Sequence, residues 1–106
     1  MASYKQLADK YAARIAERKT PSEREQEFEN IRAEISRLTV DGMPINQKQF
    51  AHLLRILKDS LKELGFDESV LTLEDYTGAE ELAKSLSVSN DEILSLMSMV
   101  SRGPKS

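Results

Sequence analysis

At five places where an apolar-periodic run is about to begin, this chain of 106 residues sets a Ser, Thr or Asn three positions ahead of a Glu or Gln. The pairs are Ser3 with Gln6, Thr20 with Glu23, Asn46 with Gln49, Thr77 with Glu80, and Ser89 with Glu92. Each pair can satisfy two of the amides that a helix N-terminus leaves without an intrahelical partner, one through each side chain. At Thr20 the following residue is Pro21, whose fixed φ suits the first helical position. One such pair says little, but five in phase with helical periodicity predict an all-α chain of five helices.

The apolar spacing agrees. Tyr4, Leu7, Ala8, Tyr11 and Ile15 fall on one face of a first helix, and Phe28, Ile31, Ile35 and Leu38 recur at three-four spacing on a second. Phe50, Leu53, Leu54, Leu57, Leu61 and Leu64 stripe a central helix over 46–64, and Gly65 stands where its C-terminus calls for a left-handed residue. Only "KTP" separates the first two helices, so they should form an antiparallel hairpin over 1–39 that brings Lys10 and Arg14 near Glu27 and Glu34. "VDGMPIN", residues 40–46, reads as a turn, and no segment shows a strand pattern. Residues 66–76 hold Val70, Leu71 and Leu73 in either a short turn capped by Asp67 or a packed linker. The expectation is one domain over 1–102, closed by a helical pair over 77–102, with a disordered tail at 103–106.

Composition narrows the chemistry. With 40% hydrophobic and 31% charged residues the chain suits a globular fold, and only six aromatics leave Leu, Ile, Ala and Met to fill its core. The absence of cysteine removes disulfides and thiolate chemistry and fits a cytoplasmic setting. No apolar run approaches the ~20 residues of a membrane span. The net charge of -3 is unevenly spread: residues 1–19 hold five Lys/Arg against two acids, whereas residues 66–92 hold eight acids against Lys84.

The segment "EELAKSLSVSNDEILSLM" sets Leu82 and Ala83 where the first helix of a DNA-reading pair needs an apolar and a small residue. It continues with "LSVS" as the turn and Ile93 as the core position of the second helix. Residues 79–98 thus resemble the helix-turn-helix group, which implies two helices crossing steeply and, in many of its members, DNA binding. The resemblance departs from the group at Ser87, where Gly is preferred in the turn. It also departs at the surface that would face the groove. Ser89, Asn90, Asp91, Leu94, Ser95 and Ser98 include no Lys or Arg to meet phosphates.

The last helix is apolar over an arc of about 160°, wider than the ~100° stripe of a surface helix. Ile93, Leu96, Met97, Met99 and Val100 make that arc, and Leu94 widens it. Either the helix is sandwiched in the core, or Leu94, Met97, Ser98 and Met99 belong to a partner-binding surface. A second candidate surface is basic: Lys48, Arg55 and Lys62 repeat every seven residues on the central helix, with Lys58 beside them. His52 and Asp59 share that wet, cationic helix and do not suggest a buried acid-base pair. The acidic pairs Asp67-Glu68, Glu74-Asp75 and Glu80-Glu81 match no calcium-loop spacing, and no phosphate-binding glycine loop occurs. The sequence therefore points to a small non-enzymatic protein-interaction module, an adaptor or regulator without cofactor or metal. Its expected partner is another protein, with self-association left open. Nucleic acid, membrane and small-molecule substrates are not expected, and the alternative is a helix-turn-helix DNA-binding regulator.

Overall fold

The computed structural model describes residues 3–66, 78–86 and 88–104. Five helices appear among them: α1 (Tyr4–Ala16), α2 (Pro21–Ser36), α3 (Gln47–Glu63), α4 (Ala79–Leu86) and α5 (Asn90–Arg102). The fold is all-α, as the capping pattern predicts. Two capping boxes close fully, with Ser3 and Gln6 at α1 and Asn46 and Gln49 at α3 each exchanging both hydrogen bonds. At α2 and α5 the Thr20 and Ser89 hydroxyls accept the Glu23 and Glu92 amides, but no return bond from either glutamate is formed. The fifth pair depends on Thr77, which lies outside the described residues, as do the turn position Ser87 and residues 67–76, for which the sequence allows a short turn or a packed linker.

The end of α3 is as the sequence predicts. Gly65 takes φ +94°, its amide reaches the Lys62 carbonyl at 3.0 Å, and the Phe66 amide reaches back to Leu61 at 3.0 Å. These two bonds form a Schellman cap, and the residue beyond the glycine, Phe66, is buried as that motif favours. Leu64 departs from the expected stripe. It is the C-cap, where the chain already turns away, and it stays exposed.

One correction concerns residues 39–44, which are a small β-hairpin in which Thr39–Val40 (β1) pairs antiparallel with Met43–Pro44 (β2). Asp41 (φ +52°) and Gly42 (φ +81°) supply the two positive-φ positions of the tight turn. Strands of two residues are too short to show a period-two pattern, so Asp-Gly was their only signal. A second correction concerns the C-terminus: Gly103 is buried and Pro104 forms a bridge with Phe66, so order continues past Arg102.

The helices share one apolar core. From α1 it takes Ala8, Tyr11 and Ile15, from α2 Phe28, Ile31 and Ile35, and from α3 Leu53, Leu57 and Leu61. α1 packs along α3 and against α2, while α5 lies between α2 and α4. Every residue from Ile93 to Val100 is consequently buried. Among the described residues no helix is long and apolar enough to cross a membrane.

Candidate functional site

The breadth of the apolar arc on α5 is explained by enclosure. Leu94 and Met97 are each 3% exposed, and Ser98 and Met99 are fully buried. The expected partner surface at Leu94, Met97, Ser98 and Met99 is therefore core in the folded domain. α2 and α4 pack against α5 from separate directions, and a helix covered on more than one side needs apolar residues beyond a single stripe. The same burial bears on the helix-turn-helix resemblance. Leu94, Ser95 and Ser98 would have to face a groove, and all three are inside.

The hairpin charges meet as the register of α1 and α2 predicts. Arg14 holds Glu27 at 2.7 Å and Glu34 at 2.7 Å, and Arg18 holds the other Glu27 oxygen at 3.0 Å. Hydrogen bonding to Arg14 is the chief reason that the Glu34 carboxyl is held below its ordinary value, with the more distant Lys10 adding to the effect.

Two polar clusters tie elements together. Between α1 and α3 the buried Ser60 hydroxyl donates to Asp9 at 2.9 Å, and the Lys5 amine lies 3.4 Å from the same hydroxyl and 3.0 Å from Glu63. A serine beside an amine invites a nucleophilic reading, but the amine would have to be neutral to accept the proton. Hydrogen bonds to Glu63 and then Asp9 raise the Lys5 pKa, so the amine stays protonated. The cluster clamps two helices. His52 is exposed and sets its ring edge-on to Tyr4, centroids 5.5 Å apart, rather than against Asp59.

The second tie was not expected from the sequence. Arg24 is buried, and its guanidinium donates to the carbonyls of Val100 (2.6 Å), Ser101 (2.7 Å) and Arg18 (3.3 Å). It thereby serves the C-terminal carbonyls of α5, which have no intrahelical partners and carry the negative end of the helix dipole. One signal was present. Arg24 is in phase with Glu27, Phe28, Ile31 and Ile35, the buried stripe of α2.

The basic stripe of α3 is where the sequence places it: Lys48, Arg55 and Lys62 are exposed and Lys58 is half-buried. It borders a feature that no single segment displays. Where α3 meets α5, Leu54, Val88, Ile93 and Leu96 line a small cleft whose rim is formed by Arg55, Lys58 and Glu92. The space inside is about 20 Å³, room for the tip of one aliphatic side chain. Arg55 Nε lies 3.3 Å from Glu92 Oε1 across the mouth. Glu92 Oε2 is buried without a hydrogen-bond partner. Among the described residues no group of His, Asp or Glu converges as a metal site. Comparison with known protein families, with curated proteins and with solved structures finds no match for this chain.

Proposed function

We propose that this protein is a small non-enzymatic interaction module, an adaptor or regulator, that binds another protein through the helical surface formed by α3 and α5. The observation that carries the reading is the cleft itself: an apolar lining from both helices, reachable from solvent and bordered by Arg55 and Lys58. Docking sites commonly combine an apolar anchor pocket with a charged rim, the first supplying affinity and the second orientation and encounter rate. The alternative of a DNA reader is weakened by the burial of α5, since Leu94, Ser95 and Ser98 have no path to base edges.

A photo-crosslinking amino acid at Lys58 tests the reading, with the same group at Ala33, on the exposed side of α2, as control. In the native source the Lys58 probe should yield a discrete protein adduct that the Ala33 probe does not, and Arg55→Glu should suppress it. Equal labelling from both positions would remove the cleft from consideration.

A further inference from the structure

Resting on that reading of the cleft, we propose that its occupant is an acidic amphipathic helix of a partner protein and that Glu92 is an internal competitor for the Arg55 guanidinium. The conformation of Glu92 is the starting point. A Glu or Gln three residues after an N-cap ordinarily folds back to accept the cap residue's own amide. Gln6 and Gln49 do this at α1 and α3. Glu92 keeps only half the motif: its amide donates to the Ser89 hydroxyl at 3.1 Å, while its carboxylate crosses to Arg55 on α3.

That crossing is a loose contact. The Arg55 side chain is 54% exposed, the approach is a single 3.3 Å bond, and the second carboxylate oxygen, Oε2, is buried without a partner. An incoming carboxylate with both oxygens available can take the guanidinium in a bidentate geometry, shorter and stronger than the present contact. Glu92 is then released to swing back towards the Ser89 amide and complete the capping box. Exchange thus replaces one poorly made ion pair with a better one and offers the displaced group a local partner.

The rest of the surface suits the same occupant. Lys48, Arg55 and Lys62 recur every seven residues along α3, about 10.5 Å apart at the helical rise, which matches acids repeating every seven residues on a second helix. Leu54, Val88, Ile93 and Leu96 lie beside that stripe and admit only a narrow aliphatic tip, so leucine, isoleucine or valine fits and an aromatic ring does not. A basic helix meets the wrong charge along α3.

Fluorescence anisotropy with a labelled synthetic helical peptide tests the proposal. The peptide carries leucines at alternating three- and four-residue spacing flanked by glutamates, and a second peptide has lysine in place of each glutamate. The acidic peptide should bind the whole protein. Arg55→Glu should weaken it at least about tenfold, and Glu92→Gln should tighten it about three- to fivefold, since a neutral amide competes less well for a guanidinium. Arg55 is exposed and Glu92 half-buried, and neither belongs to the apolar core, so unchanged circular dichroism should accompany both variants. Preference for the lysine peptide would overturn the acidic occupant, and a Glu92→Gln protein that binds no tighter would overturn the competition. If neither peptide binds while the Lys58 crosslinker still gives its discrete adduct, the occupant is wrong and the docking cleft stands. If that adduct is missing as well, both readings fall.

Discussion

Two arginines that brace α2 solve the same problem with different partners. Arg14, on α1, faces α2 and meets carboxylates, Glu27 and Glu34. Arg24, on α2, faces α5 and meets only backbone carbonyls. The first pairing can be read from the chain, because a short connection fixes the hairpin register and places Arg14 opposite a residue 13 positions away. The second joins residues 76 apart and leaves no complementary charge to find, since its acceptors are carbonyls that every residue possesses. A buried charge in a helical stripe therefore has two local readings, an acidic partner or an exposed helix end, and sequence spacing detects only the first.

The largest expected effect is at the α2–α5 contact. Arg24→Met keeps the aliphatic length but leaves the Val100 and Ser101 carbonyls without their donor. Because bonds involving a charged group contribute about 1.5–3 kcal/mol each and a replacement of similar length limits the cavity, a loss of about 3 kcal/mol is expected. Urea unfolding should show it as a lower midpoint with an unchanged slope.

Gly103→Ala attacks the same contact from the other side. Gly103 takes φ +76° and ψ -174°, a region almost closed to other residues, and a Cβ there would stand 2.8 Å from Arg24 Cζ. A cost of about 2 kcal/mol follows from the backbone strain and the collision. Combined with Arg24→Met, the two losses should sum to less than their separate values, because the collision partner has gone. Strict additivity would show that the guanidinium and the glycine are independent.

Glu27→Gln tests the carboxylate side of the comparison. The Glu27 side chain is only 7% exposed, but Arg14 and Arg18 are 29% and 50% exposed and can turn to water once it is neutral. The expected loss is therefore about 1–2 kcal/mol, below the 3–5 of a fully buried pair. A loss as large as that of Arg24→Met would contradict the ranking.

Acid separates the two contacts with the smallest effect. The Glu34 carboxyl has a folded-state pKa below its ordinary 4.5, chiefly through Arg14, so its contribution is complete above that value and is lost as pH falls below it. Glu34 is 42% exposed, so solvent screening keeps the contribution under about 1 kcal/mol. Wild type should exceed Glu34→Gln in stability near neutrality, and the two should converge as pH falls through the lowered folded-state value. Arg24 bonds to carbonyls, which do not titrate, so the increment lost in Arg24→Met should persist across the same range.

Legibility followed range. The starts of α1, α2, α3 and α5, the glycine that ends α3, and the hairpin ion pairs all rest on contacts between close neighbours or across one short turn. The basic stripe of α3 was equally plain. Its significance was not, because the apolar half of the cleft comes from Val88, Ile93 and Leu96, more than thirty positions after Leu54. Leu94, Met97 and Met99 show the converse. The arc on α5 is too wide for a surface helix, but a helical wheel carries no record of which other helices cover it.

The sequence by itself determined the all-α architecture and the positions of most helix ends, because capping and left-handed glycine are settled by hydrogen bonds within one or two turns of backbone. Only the tertiary structure decided that α5 is core, that Arg24 closes its C-terminus, and that Glu92 leaves its own N-cap for Arg55. In each of those cases a side chain had a local choice that was physically acceptable. What displaced it was a partner brought near by chain folding, whose approach depends on the packing of the whole core and on no pattern within a single helix.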